Sequence, residues 1–140
     1  MSNIYKNIWI GAWEEASDEN WLKKNNITHI LNTSAELEDA FPRKFIYKHL
    51  QILSKDNFDV FPYLDQGADF ILKAIEDGNL LIHCYRGTSR APCVFIAFLM
   101  KYFGWDYMRC LKCILNKRSM VRLHKNCKKA IDQYYEELKK

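Results

Sequence analysis

The sequence predicts a single α/β domain built around a central sheet with parallel strands. Two observations lead to this class: strand-like and helical segments alternate in the first half, and helices dominate the second half. The chain has 140 residues, of which 49% are hydrophobic and 27% charged. That composition is too apolar for a disordered chain and suffices for one buried core. We therefore expect one domain spanning residues 1–140, with a helical layer covering one side of the sheet.

The first half of the chain supplies three predicted strands and one short helix. Residues 4–11 predict the first strand, because Ile and Trp side chains alternate between its two faces. Ser17 is suited to cap a short helix that ends near Asn25. Residues 27–31 and 45–52 predict the second and third strands, the latter from its alternating apolar positions.

The second half supplies one buried strand and several helices. A long helix is predicted to begin at Pro62 and to end at Gly78, with apolar residues at helical spacing between them. Residues 80–82 predict a strand buried on both faces. The helix at 92–103 is apolar nearly all round, which is typical of a central core helix. Asp106 can cap the first of two later amphipathic helices. Their inward faces are expected to carry Met108, Leu111, Leu115, Ile131, Tyr134 and Leu138.

Composition also limits the partners and the compartment. The longest apolar run, residues 91–100, is about half of the length that a bilayer requires, and the first residues do not resemble a signal peptide. We therefore expect no membrane anchor. Five cysteines, an odd number, indicate reduced thiols in the cytoplasm. A net charge of +4 suits phosphorylated partners and is too weak to indicate nucleic acid. Nothing demands an oligomer, so we expect a monomer.

The most informative segment is the predicted strand–loop–helix at residues 82–92. A buried strand ends at His83, a helix begins near Arg90, and Cys84 opens the loop between them. Such a loop gathers backbone N–H groups into an anion-binding nest at the helix N-terminus, and Gly87 allows a positive φ in its bend. The predicted phosphate-binding residues are His83, Tyr85, Arg86, Gly87, Thr88, Ser89 and Arg90.

The residue types in this loop indicate phosphoryl chemistry. An anion-binding environment lowers the pKa of cysteine thiols, so we expect Cys84 to be a thiolate nucleophile. Arg90 supplies a planar pair of donors that matches two phosphoryl oxygens. An isolated cysteine is more often a packing residue, but the glycine and arginine that follow Cys84 favour a phosphate site. No metal or other cofactor is required, because the nest and Arg90 stabilise the charge.

This segment resembles the His-Cys-x5-Arg signature of the protein tyrosine phosphatase superfamily, and the chain length resembles the small dual-specificity phosphatases. Further collinear similarities cover nearly the whole chain, at residues 7–11, 27–32, 47–48, 68–71 and 97–100. The resemblance implies a cysteine-dependent phosphatase fold, with a central, mostly parallel mixed sheet flanked by helices. It also implies hydrolysis of phosphotyrosine, phosphoserine and phosphothreonine in proteins through a phosphocysteine on Cys84.

Two positions depart from the pattern of this family. The family places a general-acid Asp where this chain has Ser54, so Asp56 is the candidate acid and Asp59 the second candidate. The alternative is that Asp56 is a solvated loop carboxylate. Relatives usually carry Ser or Thr after the signature arginine, where this chain has Ala91. Because that hydroxyl helps the thiolate to leave, we expect slow hydrolysis of the phosphocysteine and a burst of product.

Three alternatives remain open from the sequence. Arg86 adds charge at the pocket mouth and would favour a substrate with several phosphates, such as a phosphoinositide or a doubly phosphorylated segment, or another non-protein phosphomonoester such as an RNA 5′ end. In the alternative interpretation, Arg86 is a solvated surface residue. The departures at Ser54 and Ala91 are also compatible with a pseudophosphatase that binds phosphorylated partners without turnover. Finally, a zinc-like spacing is present, but its first two members fall within a helical pattern, so we expect no metal site. The spacing consists of Cys110, Cys113, His124 and Cys127.

Overall fold

The computed structural model describes all residues from 1 to 140 and contains one five-stranded sheet. The strands are β1 (Ser2–Tyr5), β2 (Ile8–Gly11), β3 (His29–Asn32), β4 (Ile46–His49) and β5 (Leu80–His83). The helices are α1 (Trp13–Ala16), α2 (Glu19–Lys24), α3 (Phe61–Asp77), α4 (Arg90–Phe103), α5 (Tyr107–Leu115) and α6 (Lys125–Leu138). The sheet order is β1-β2-β5-β3-β4, with β1 antiparallel to β2 and every other pair parallel. The predicted α/β class and mixed sheet are confirmed.

Helices cover both faces of the sheet, whereas the strand and helix pattern predicted a layer on one side only. The larger core lies on the face of Ile8, Ile10 and Ile82, where α3, α4 and α6 pack. On the opposite face Ile30 and Leu81 pack against residues of α1 and α2. The central strands therefore bury both of their faces, as parallel strands in α/β domains do.

Several predicted boundaries change in the structure. Residues 4–11 form a hairpin rather than one strand, with Lys6 at φ 48° in its turn. Ser17 ends α1, and Asp18 caps α2 by accepting a hydrogen bond from the Trp21 N–H at 3.1 Å. The strand predicted over 45–52 is limited to 46–49, because its partner β3 is only four residues long.

The inward face of α5 differs from the prediction by about one position. Cys110 and Ile114 are fully buried, whereas Met108 is 58% exposed and Leu111 and Leu115 are half-buried. Cys110 belongs to the inward face of α5 because cysteine packs as a small hydrophobic residue. In α6, Ile131 and Tyr134 are buried as predicted, and Leu138 is exposed.

The topology places one loop at the centre of the molecule. Strand β5 lies between β2 and β3 and runs parallel to both, so the β5–α4 loop follows the carboxyl end of a central strand. Open α/β sheets generally bind ligands at that edge. Helix α4, which follows the loop, is buried from Arg90 to Met100 and fixes the position of the loop against the core. No helix is both long and apolar enough to cross a membrane.

Candidate active site

In the loop from Cys84 to Ser89, every carbonyl group after that of Cys84 is turned outward. Each carbonyl from Tyr85 to Ser89 accepts a hydrogen bond from a group outside the loop. The donors are the Trp13 N–H to Tyr85 O (3.1 Å), the Arg118 guanidinium to Arg86 O (3.1 Å) and Gly87 O (2.9 Å), the Arg122 N–H to Thr88 O (2.9 Å) and the Cys93 N–H to Ser89 O (2.9 Å). With the carbonyls held on the outside, the peptide N–H groups are left for the inside of the loop.

One N–H group of the loop bonds to Cys84, and four others are free. The Gly87 N–H donates to Cys84 Sγ at 3.2 Å, and the sulfur belongs to a residue that is only 3% exposed. The N–H groups of Tyr85, Arg86, Thr88 and Ser89 have no acceptor in the protein. Successive free N–H groups around one point form a nest for an anion. The arrangement fits a tetrahedral oxyanion bound next to the sulfur.

Gly87 is required for this shape, as the sequence predicted. Its φ is +70°, and a Cβ atom added there would lie 2.4 Å from the Gly11 carbonyl oxygen. A side chain would therefore meet both backbone strain and a steric clash with β2. The loop can approach β2 this closely only at glycine.

Arg90 is held in place by a residue that the sequence did not single out. Its Nη1 and Nη2 donate to Glu36 Oε1 and Oε2 at 2.7 and 2.6 Å, and Nη1 also donates to the Ile52 carbonyl at 2.9 Å. Burial works against the charged guanidinium, but the bonds to Glu36 and the nearby Cys84 sulfur outweigh it and raise the pKa of Arg90. The bond from Arg90 lowers the pKa of Glu36. The Nε–H and one Nη2 hydrogen remain free, which is the pair needed to grip two phosphoryl oxygens.

Arg118 is a second residue that the sequence analysis missed. It is 5% exposed, has no carboxylate partner, and donates to the carbonyls of Arg86 and Gly87 and to Ser2 Oγ. Burial lowers the pKa of this guanidinium. Arg118 thus holds the outer side of the loop and adds a buried positive charge behind it. No local pattern marks this residue, because it lies 31 residues from Gly87 in the chain.

The loop opens into a cavity of about 350 Å³. Its lining consists of Glu36, Ser54, Cys84, Tyr85, Arg86, Thr88, Ser89, Arg90 and His124. Two residues of the predicted phosphate-binding set, His83 and Gly87, are not part of this lining. His83 is buried behind the loop, and burial lowers the pKa of its imidazole to about 4. At the rim, Tyr85 is 45% exposed and stacks on Trp13 with ring centroids 6.3 Å apart.

Comparison with known proteins agrees with this geometry. Residues 8–137 match the model of the dual specificity phosphatase catalytic domain. The chain belongs to the dual specificity phosphatase family. It is 32% identical to dual specificity protein phosphatase 1B of Arabidopsis thaliana over 84% of this chain and 71% of that protein. It is 35% identical to dual specificity protein phosphatase 1 of the same plant, over 86% of this chain and 61% of that protein.

Solved structures share the same fold. The crystal structure of human DUSP28 superposes with a TM-score of 0.92 at 17% identity, covering 99% of this chain and 98% of that one. At that level of identity the likeness concerns the fold alone. The mixed sheet, the flanking helices and the central loop therefore form a dual specificity phosphatase catalytic domain.

The candidate general acids lie outside the catalytic cavity of this phosphatase domain. Ser54 lines the cavity, whereas Asp56 and Asp59 are exposed residues that line adjoining cavities. One cavity that Asp56 lines shares three residues with the catalytic cavity, namely Arg86, Thr88 and His124. Asp56 is thus next to the pocket but not in it.

No hydroxyl group donates to the sulfur of Cys84. Ala91, which occupies the position of the family's Ser or Thr, is fully buried. The Ser89 hydroxyl is directed elsewhere: it donates to Cys127 Sγ at 3.4 Å and accepts from the His124 N–H at 2.9 Å. The Gly87 N–H is therefore the donor that the structure provides to Cys84.

The zinc-like set of residues is dispersed among packing contacts. Cys110 Sγ lies 4.0 Å from the carbonyls of Ile96 and Trp105, and Cys127 lies against Ser89. No group of three His, Cys, Asp or Glu side chains in the structure is arranged to hold a metal ion. These cysteines contribute to the core between α4, α5 and α6.

Proposed function

We propose that this domain hydrolyses phosphate monoesters on Tyr, Ser and Thr residues of proteins through a phosphocysteine on Cys84. The observation that carries the proposal is the loop from Cys84 to Arg90. Its carbonyls are bonded to groups outside the loop, the Gly87 N–H donates to the sulfur, four further N–H groups of the loop have no acceptor, and Arg90 keeps two donors free. Preorganised donors of this kind stabilise the charge that develops on a transferring phosphoryl group.

The first chemical step forms the Sγ–P bond at Cys84 and breaks the bond between phosphorus and the substrate oxygen. The loop N–H groups and Arg90 bind the three phosphoryl oxygens, and the leaving oxygen takes a proton from Asp56. In the second step a water molecule attacks the phosphorus, Asp56 accepts its proton, and Cys84 leaves as the thiolate. Asp56 is proposed because it is the carboxylate of the exposed 53–59 loop that adjoins the pocket. Catalytic contacts in unliganded proteins often tighten only when substrate binds.

We further propose that the enzyme acts as a monomer in the cytoplasm on phosphorylated proteins. All five cysteines are free thiols in the structure, and a thiol nucleophile requires reducing surroundings. The family membership supports phosphorylated protein substrates.

Phosphate release from three substrate classes tests this function. Phosphotyrosine peptides, phosphothreonine peptides and phosphoinositide vesicles are compared for the wild-type protein, Cys84→Ser and the control Cys113→Ser, whose cysteine lies outside the cavity. We expect release from both peptides, loss of release in Cys84→Ser, and little change in Cys113→Ser. Binding without release would indicate a pseudophosphatase, and release from the phosphoinositide alone would indicate the non-protein alternative.

A further inference from the structure

One side chain of the catalytic cavity is suited to exchange a proton with a bound substrate near neutral pH. Hydroxyl and guanidinium groups, which form most of the lining, hold their protons too tightly for this exchange. Both oxygens of Glu36 accept hydrogen bonds from Arg90, which lower the pKa of this carboxyl group, and Cys84 is the nucleophile. The remaining group is the imidazole of His124. Histidine takes up and releases its proton near neutral pH more readily than other side chains.

His124 also lines the cavity of about 480 Å³ that contains Asp56. This cavity is called the adjoining cavity below. Of the three residues that it shares with the catalytic cavity, Arg86, Thr88 and His124, only the histidine exchanges a proton readily near neutral pH. His124 therefore borders both the space that holds the Asp56 carboxyl group and the space that holds the Cys84 sulfur.

Hydrogen bonds attach the backbone of His124 to the catalytic loop, and the 53–59 loop to the same end of α6. The His124 N–H donates to Ser89 Oγ at 2.9 Å. Two residues further along, Asn126 Nδ2 donates to the Phe58 carbonyl in the 53–59 loop at 3.2 Å. The imidazole itself is exposed, forms no hydrogen bond and does not cap α6. Its two ring nitrogens are therefore available to one partner in each cavity.

The two cavities contain two carboxyl groups, and only one of them is free to exchange a proton with the imidazole. Glu36 forms an ion pair with Arg90, whereas Asp56 forms none. The other titratable or charged groups that line the cavities are the nucleophile, a phenol and four cations, namely Cys84, Tyr85, Arg86, Arg90, Arg122 and Lys125. Asp56 is thus the acidic partner that the surroundings offer to His124.

Building on the proposed function, we propose that His124 is a catalytic residue that carries the proton between Asp56 and the leaving oxygen of the substrate. In the first step an N–H bond of the neutral imidazole breaks as the O–H bond of the leaving group forms, and the Asp56 carboxyl group gives a proton to the other ring nitrogen. In the second step the attacking water gives its proton to the imidazole, and the opposite nitrogen passes one to the Asp56 carboxylate. A carboxyl group outside the catalytic cavity can then protonate a leaving group inside it.

The test compares a phosphoserine peptide, whose alkoxide needs a proton to leave, with p-nitrophenyl phosphate, whose phenolate leaves without one. The ratio of the two kcat values is measured for the wild type, His124→Asn, Asp56→Asn and the double variant. Asparagine is a favoured N-cap residue, so this substitution preserves the start of α6. His49→Asn is the matched control, because its imidazole lines neither cavity. A ratio cancels any loss of folded protein, which affects both substrates alike.

We expect His124→Asn and Asp56→Asn each to lower the ratio of phosphoserine to p-nitrophenyl phosphate turnover about 10²-fold. The double variant should lower it no further than the larger single loss, because both groups belong to one path for the proton. His49→Asn should keep the wild-type ratio.

Three results would overturn the relay while the enzyme remains a phosphatase. These are a loss in only one of the two single variants, losses that multiply in the double variant, and a wild type that hydrolyses p-nitrophenyl phosphate alone. A wild-type protein that releases phosphate from neither substrate would overturn the proposed function and the relay together.

Discussion

Two loops border the catalytic cavity, and they differ sharply in how firmly they are held. In the Cys84–Ser89 loop every carbonyl after the cysteine has a donor, and the buried Arg90 that follows has three acceptors. In the 53–59 loop six of the seven residues are exposed, and three hydrogen bonds hold the whole segment. The bonds are Phe58 N–H to Lys55 O, Asn126 Nδ2 to Phe58 O and Phe61 N–H to Asp59 Oδ1.

This difference separates the two halves of the proposed reaction. The half that binds phosphate and supplies the nucleophile is preorganised, because the groups that orient it are buried and bonded before any substrate arrives. The half that is proposed to supply the proton, through Asp56, lies in the exposed 53–59 loop, which three hydrogen bonds hold. We therefore expect substitutions in the first loop to affect all substrates alike, and substitutions in the second to affect only substrates with poor leaving groups.

Arg90→Lys should give the largest effect on the preorganised side. Lysine keeps the charge opposite Glu36 but cannot present two parallel donors to phosphate. We expect kcat/KM to fall about 10³-fold for aryl and alkyl phosphates alike, in line with the loss of a transition-state donor. The control is Arg43→Lys, at an exposed position away from the cavity. A fall of less than tenfold, or one confined to a single substrate class, would contradict the role given to this guanidinium.

Asp56→Asn tests the solvated side. We expect kcat on phosphoserine peptides to fall about 10²-fold, because an alkoxide needs the proton, and p-nitrophenyl phosphate to be hydrolysed at a nearly unchanged rate. Asp59→Asn, which removes a carboxylate from the same loop, serves as the control. Equal small losses in both variants would mean that neither residue is the general acid. The enzyme would then work without a general acid, since Ser54 occupies the position where the family has one.

The same contrast explains which residues of the candidate site could be predicted from the sequence. Cys84, Gly87 and Arg90 were predictable, because the loop that joins them is continuous in sequence and follows a recognisable buried strand. Glu36 and Arg118 contact this loop from positions 54 and 31 residues away, and nothing in their own surroundings distinguishes them from surface charges.

The errors in the predicted strand and helix boundaries also have identifiable causes in the local sequence. The β1–β2 hairpin was hidden because Lys6 adopts a positive φ where no glycine signals a turn. Ser17 and Asp18 are both suitable helix caps, and the sequence does not show that a separate short helix ends at the first of them.

The buried imidazole behind the preorganised loop makes the fold sensitive to acid. Burial lowers the pKa of His83 to about 4, below the value near 6.5 that histidine has in an unfolded chain. Between these values the unfolded state binds the proton and the folded state does not, so stability falls as the pH falls through this window. From pH 6.5 to 5 we expect a loss of about 1.6 kcal/mol, roughly a 15-fold change in the folding equilibrium.

Urea unfolding at several pH values measures this loss, with His83→Gln as the test and the exposed His124→Gln as the control. His83→Gln should flatten the pH dependence over this window, and His124→Gln should leave it unchanged. An unchanged slope in His83→Gln would assign the acid sensitivity to another group.

The smallest expected effect concerns Ala91, the position in α4 where relatives usually carry the hydroxyl of Ser or Thr. Ala91→Ser places a hydroxyl directly after Arg90, where it can donate to the leaving sulfur of Cys84. A single hydrogen bond of about 0.5–1.5 kcal/mol corresponds to a 2- to 10-fold faster breakdown of the phosphocysteine. Rapid-quench kinetics should therefore show a burst of product in the wild type that shrinks in Ala91→Ser while steady turnover rises. Ala97→Ser is the matched control, since it adds the same hydroxyl at another fully buried position of α4. If the wild type shows no burst, breakdown of the intermediate is not limiting, and the Gly87 N–H already gives Cys84 the stabilisation that its relatives obtain from the hydroxyl.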